Sequence, residues 1–273
     1  MKSRPERLAL LGHPLGHSLS PVMHNAALRT AGIPLVYEAL DVPRRALDST
    51  IESLRRTRAA GNVTIPYKED VLAACDRLTA TAIAVGAVNT FWIAIDGALV
   101  GDNTDAPGFE VAATHFLGRT PTGATIAVIG AGGGAAAVLR AMKGWEPREV
   151  RLYSRTMARA RALAQRFALL NVSVVESADV AVDGAAIVVN ASPVGLSNDA
   201  VPVRVEALRA DAAVLDLVYR RGETAFVRAA RARGLRAQDG LALLVEQGAL
   251  AFERWFSVQP DREVMWNAVW EFR

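Results

Sequence analysis

Lysine is scarce in this chain. Its 273 residues hold only Lys2, Lys68 and Lys143, against 28 arginines. Lys2 is terminal and Lys143 stands before Gly144, but Lys68 closes a compact run, Gly61-Asn62-Val63-Thr64-Ile65-Pro66-Tyr67-Lys68. An ammonium group can stabilise charge developing on an oxygen and can also give up a proton. A guanidinium does not readily do the second. A second constellation is Gly130-Ala131-Gly132-Gly133-Gly134-Ala135, which contains G-x-G-x-x-A. The first glycine of that pattern permits a tight turn, the second lets backbone approach a pyrophosphate, and the small third residue allows close helix–strand packing. A third is the stretch Gly12–Asn25, where Ser18 and Ser20 stand at an expected helix start. Hydroxyls beside free backbone N–H groups suit a carboxylate. His13, His17 and His24 share this stretch, but no carboxylate or cysteine accompanies them at ligand spacing, so no metal is expected. No G-x-S-x-G elbow supports a Ser–His hydrolase.

Each feature also has a plainer reading. Lys68 would serve as a solvated loop residue, Ser20 as an N-cap, and the glycine run as a tight turn. The cofactor reading gains from the residues downstream of the glycines. An NAD site expects an acidic residue about 20 residues beyond them to hold the ribose hydroxyls. That region reads Tyr153-Ser154-Arg155-Thr156, with Arg159 one turn later. Arginine there favours the 2′-phosphate of NADP. The alternative is a solvated arginine face, to which Arg161 and Arg166 would belong.

The elements that must position these residues alternate along the chain. Strands are expected at Leu8–Gly12, Val36–Leu40 and Asn62–Ile65, with helices from Ser20-Pro21 to Ala31 and over Arg44–Arg58. Asp96-Gly97 signals a hairpin between Ala87–Ile95 and Ala98–Gly101. A new unit starts near Thr122. It carries strands at Thr125–Ile129, Val150–Tyr153, Val172–Val175, Ala186–Asn190, Val214–Leu217 and Leu235–Gln238. Helices are expected from the glycine run to Met142, over Thr156–Ala168 and over Thr224–Arg233. Such alternation implies a parallel sheet covered on both faces. The last segment, Leu241–Trp255, reads as an amphipathic helix with Gln247 at the flank of its apolar stripe.

Composition narrows the function classes. The formal net charge of +3 is small for a nucleic-acid binder of this size. No apolar run reaches the ~18 residues of a membrane span, and Leu8–Leu11 is too short for a signal-peptide core. A single cysteine, Cys75, fits a reducing cytoplasm. The expected partner is a small molecule, with neither nucleic acid nor membrane, on a monomer or homodimer.

Taken together, these motifs resemble those of the shikimate dehydrogenase family. The Gly12–Asn25 stretch is similar to its substrate-binding motif, and Gly61–Lys68 to its catalytic-lysine motif. Gly86-Ala87-Val88-Asn89-Thr90 and Gly101-Asp102-Asn103-Thr104-Asp105-Ala106-Pro107-Gly108 match two further signatures. Asn190–Gly195, Asp216-Leu217-Val218-Tyr219 and Gly240–Phe252 come later, in family order. The resemblance implies NADP-dependent interconversion of shikimate and 3-dehydroshikimate on a two-domain α/β fold. An N-terminal α/β substrate domain, 1–108, would be completed by C-terminal helices in 241–273. A Rossmann-type dinucleotide-binding domain, 109–240, would be inserted between them. It implies Lys68 and Asp105 as the catalytic pair. Ser18 and Ser20 would bind the substrate carboxylate, and Thr64, Lys68, Asn89, Asp105 and Gln247 its ring hydroxyls. Gly130, Ala131, Gly132, Gly133, Gly134, Ala135, Ser154, Arg155, Thr156, Arg159, Val218 and Gly240 would hold NADP(H).

The chain departs from the family in places. Ser154 replaces the usual asparagine before Arg155, and Leu243 stands where a methionine often packs. Ala135-Ala136-Ala137 lacks the basic residue often seen after the glycines. The nearest alternative is a quinate/shikimate dehydrogenase with relaxed cofactor use. An acidic residue at 154 or 155 would mark it, and neither is acidic. A non-catalytic sensing paralogue would have lost Lys68 or Asp105, and both are present.

Overall fold

The segment Thr125–Ile129, apolar apart from its threonine, reads as a strand buried on both faces, and in the computed structural model that strand lies inside a six-stranded sheet. The structure describes residues 4–16 and 18–271. His17 and its place in the substrate motif therefore lie outside the described residues. The chain divides into two compact units, Met1–Gly108 with Leu244–Phe272, and Phe109–Leu243.

The first unit opens with β1 (Arg7–Gly12), α1 (Ser20–Thr30), β2 (Tyr37–Asp41), α2 (Leu47–Arg56), β3 (Ala59–Val63) and α3 (Lys68–Ala74). It continues with β4 (Arg77–Leu78), α4 (Ala80–Val85), β5 (Thr90–Ile93), β6 (Leu99–Asp102) and the start of α5 (Asp105–Leu117). Its six-stranded sheet has the order β2-β1-β3-β5-β6-β4. β1 pairs in parallel with both β2 and β3, while β5 runs antiparallel to β3 and β6. The expected hairpin is this β5–β6 pair, with Gly97 at φ +85° in its turn. Leu47, Ile51 and Leu54 of α2 are buried against the sheet with Ala9, Leu11 and Val63. α1 differs from expectation at its start. Leu19, not Ser20, is the N-cap, and Ser20-Pro21 occupies the first turn.

The second unit contains β7 (Thr125–Ile129), α6 (Gly133–Ala141), β8 (Glu149–Tyr153), α7 (Met157–Arg166), β9 (Val172–Val174) and α8 (Ala178–Val182). Then come β10 (Ile187–Asn190), β11 (Ala213–Asp216), α9 (Ala225–Ala232), β12 (Arg236–Gln238) and the first turn of α10 (Leu241–Phe256). Its sheet, β12-β11-β10-β7-β8-β9, is parallel at every junction. That order reverses beside β7, the switch point at which doubly wound folds bind dinucleotides. The core of this unit includes Ala127, Val188, Val214 and Phe226. α10 runs from this unit into the first. The chain ends in α11 (Arg262–Trp270), whose N-cap Asp261 accepts from the N–H groups of Glu263 and Val264.

Candidate active site

In the first unit the chemistry gathers where β3, β5 and β6 end or begin. Tyr67 anchors the turn after β3. Its ring is buried and its hydroxyl donates to the Val42 carbonyl at 2.6 Å. Lys68 comes next as the first residue of α3, and its own carbonyl accepts from Val88 N–H at 2.9 Å. Asp105 opens α5, where a carboxylate is favoured by the free N–H groups of the first turn. The two meet: Lys68 Nζ donates to Asp105 Oδ2 at 2.6 Å, with side chains 21% and 13% exposed.

Asn89 holds this pair in place. It is 2% exposed, and its Nδ2 lies 2.7 Å from Asp105 Oδ1, 3.0 Å from Thr104 Oγ1 and 3.2 Å from Gln247 Oε1. Its Oδ1 accepts from Thr104 N–H at 2.7 Å. Gln247 reaches the cluster from α10 and donates through Nε2 to the Leu244 carbonyl at 2.8 Å. Thus Lys68, Asp105, Asn89 and Gln247, named from the sequence, are brought into one hydrogen-bonded cluster. Thr64 lies half-buried one turn before Lys68. Ser18 and Ser20 stand where the β1–α1 loop enters α1, Ser20 N–H donating to Ser18 Oγ at 3.3 Å. This loop packs beside Thr64: His13 N–H donates to the Ile65 carbonyl at 3.1 Å.

Three contributors escaped the sequence reading. Thr104 bonds Asn89, and Asn62 donates to the Asn89 carbonyl at 3.1 Å. Tyr37 donates its hydroxyl to Asn62 at 2.8 Å. Thr104 and Asn62 both lie inside family motifs, which was the available signal. Tyr37 lies outside any motif. His24 stacks on Tyr37 at 4.5 Å and lies 5.0 Å from Trp255, with neither ring nitrogen hydrogen-bonded. Burial holds its pKa at about 3. It is neutral and packed as a core ring. His13 faces elsewhere, with Nδ1 2.5 Å from Asp41 Oδ1.

In the second unit the glycine turn follows β7. Gly130 has φ +120°, and an added Cβ would stand 2.7 Å from the Ala191 carbonyl. Gly132 is different. Its φ is −100°, it is exposed, and nothing lies within 4 Å of where a Cβ would be. The backbone there is open to a ligand, and the first N–H groups of α6 point from the same place. Ala135 is fully buried, as close helix–strand packing requires. The β8–α7 turn is adjacent, since Gly130 N–H donates to the Tyr153 carbonyl at 2.8 Å. It carries half-buried Ser154 and exposed Arg155, Thr156 and Arg159. Two exposed guanidiniums beside an open helix N-terminus suit a dianionic phosphate next to a pyrophosphate. Val218 and Gly240 lie beyond the ends of β11 and β12, Gly240 N–H donating to the Val218 carbonyl at 3.0 Å. These residues fit a dinucleotide carrying an additional phosphate.

Three family profiles match parts of the chain. Residues 10–91 match the profile of the shikimate dehydrogenase substrate binding domain. Residues 240–269 match that of the shikimate 5′-dehydrogenase C-terminal domain. Residues 125–219 match that of the coenzyme F420-dependent NADP oxidoreductases. A shikimate dehydrogenase (NADP(+)) of Thermus thermophilus is 43% identical over 263 residues, 96% of this chain and 97% of that protein. One from Methylobacterium radiotolerans is 42% identical over 260 residues, 93% of this chain and 92% of its own. A crystal structure of shikimate 5-dehydrogenase from Thermus thermophilus, in complex with NADP(H) and shikimate, superposes with a TM-score of 0.88. It is 41% identical and covers 98% of this chain and 99% of its own.

Proposed function

The chain belongs to the shikimate dehydrogenase family, and from that premise we propose how its residues carry the reaction. It catalyses the reversible NADPH-dependent reduction of 3-dehydroshikimate to shikimate, a step of aromatic amino-acid biosynthesis. The observation that carries the residue assignment is the 2.6 Å contact between Lys68 and Asp105, held by Asn89.

Lys68 and Asp105 are the catalytic pair. NADPH, when bound, supplies the hydride. As a ketone is reduced, negative charge grows on its oxygen. One N–H of the Lys68 ammonium is committed to Asp105, which leaves two donors to stabilise that oxygen and supply its proton. Asp105 fixes the direction of the ammonium, and Asn89 fixes Asp105. Ser18 and Ser20 take the substrate carboxylate, while Thr64, Asn89 and Gln247 hold ring hydroxyls. Gly130–Ala135 receive the pyrophosphate, Ser154, Arg155, Thr156 and Arg159 the 2′-phosphate, and Val218 and Gly240 the nicotinamide end. The first unit, 1–108 with the C-terminal helices, is the substrate domain, and the 109–240 region is the cofactor domain. A cytoplasmic location fits the single cysteine and the nucleotide substrate. The oligomeric state is monomer or homodimer, and the small net charge argues against nucleic acid as a partner. Among the described residues no helix is long and apolar enough to cross a membrane.

Lys68→Ala tests the assignment. The expected result is a kcat lower by about 10²–10⁴, the usual worth of a positioned acid, with the shikimate KM changed far less. A raised KM with unchanged kcat would make Lys68 a binding residue instead.

A further inference from the structure

The second unit contains a buried polar knot that none of the proposed steps uses. Asp216 ends β11 and is 2% exposed. Its Oδ1 accepts from Asn190 Nδ2 at 2.8 Å and from the Val218 N–H at 3.0 Å, and its Oδ2 accepts from the Thr224 hydroxyl at 2.7 Å. Each donor governs a different segment. Asn190 Oδ1 accepts from the Ser192 N–H at 3.1 Å and its hydroxyl at 2.7 Å, fixing the Ala191–Ser192 backbone against which Gly130 packs. Val218 accepts from Gly240, and an added Cβ at Gly240 would stand 2.2 Å from the Leu217 carbonyl oxygen. Thr224 caps α9, accepting from Val227 N–H at 3.2 Å.

We propose that Asp216 is a positioning residue for the dinucleotide: its carboxylate ties the backbone behind the glycine turn to Val218 and Gly240, and so sets the spacing between the two ends of the cofactor site. This rests on reading Gly130–Ala135, Val218 and Gly240 as cofactor contacts. Three donors from three segments converge on one small group, and a carboxylate accepts at both oxygens where an amide accepts at one. The surroundings do not favour its charge. Burial pushes the Asp216 carboxyl up to about 6, the three donors oppose that rise, and the nearby Asp239 carboxylate beyond β12 adds to it.

Asp216→Ala removes the acceptor that Asn190 Nδ2 and the Val218 N–H share. Titration calorimetry with NADP+ and steady-state rates read the effect. The expected result is NADP+ affinity weaker by about two- to tenfold, the range of a lost hydrogen bond. The shikimate KM is expected to hold. Unchanged NADP+ affinity in the folded variant overturns the proposal. So does a fall in thermal midpoint with both KM values rising together, which marks a purely structural residue. Gly132→Ala separates the two readings. If it also leaves NADP+ affinity intact, the cofactor-site reading itself fails. If it alone weakens NADP+ binding, only the positioning role of Asp216 fails.

Discussion

Lys68 is one of three lysines in a chain of 28 arginines, and the structure gives it a carboxylate partner at 2.6 Å. That residue was legible because the chemistry proposed for it needs a cation able to release a proton. Asp105 and Gln247 were legible only through family resemblance. Asp105 reads equally well as a helix-start carboxylate, and Gln247 as the border of an apolar stripe. His24 was legible only as a poor metal candidate, and its buried environment gives it a measurable consequence. With its pKa held at about 3 by burial, against an ordinary 6.5, His24 stays neutral in the fold while the unfolded chain protonates it. Its contribution to stability is therefore full above pH 6.5 and is lost as pH falls toward 3. By about pH 4.5 the loss amounts to roughly 3 kcal/mol. Denaturant unfolding of the chain and of His24→Phe at pH 7 and pH 4.5 checks this. The variant is expected to lose less stability on acidification, and an equal loss in both would assign the acid sensitivity elsewhere. Asp216 acts in the opposite sense. Its raised pKa makes its contribution largest below its ordinary 3.8 and removes it as pH rises through about 6.

At the scale of elements, the second unit was the more readable. Its central strands are buried on both faces, so each appears as a continuous apolar run, and Thr125–Ile129 has the same limits in sequence and structure. The first unit hides more. β3 begins at Ala59 rather than Asn62, because Ala59–Gly61 lacks the branched side chains that signal a strand. α3 starts at Lys68 behind Pro66 and is too short to show a helical period. β4 has two residues and exists through its pairing with β6. The Ser20 cap failed because the turn closes one residue earlier, at Leu19. The glycine turn makes the sharpest prediction at this scale. Gly132→Ala has room and an allowed backbone, so it is expected to leave the thermal midpoint unchanged while raising the NADP KM by tenfold or more. Gly130→Ala meets backbone at 2.7 Å from a φ of +120°, so it is expected to destabilise the fold itself. Thermal melts beside NADP kinetics check the pair. Equal destabilisation by both would mean that Gly132 serves the turn rather than a ligand.

Across the whole molecule the arginines divide by place. Arg44, Arg77, Arg204 and Arg209 form exposed ion pairs with Asp70, Asp96, Asp179 and Asp211. Such exposed pairs are screened by solvent and tune the surface rather than the fold. Arg155 and Arg159 are exposed beside the glycine turn, where the cofactor reading needs positive charge. In the proposed reading the two units divide the labour: one gathers lysine, carboxylate and amides for a polar ring substrate, the other presents open backbone and guanidinium for a phosphorylated dinucleotide. Initial rates of nicotinamide reduction, with shikimate or quinate and with NADP+ or NAD+, test that account most directly. The expected result is turnover of shikimate with a clear preference for NADP+, and loss of that preference in Arg155→Ala. Absence of shikimate turnover with either cofactor would contradict it.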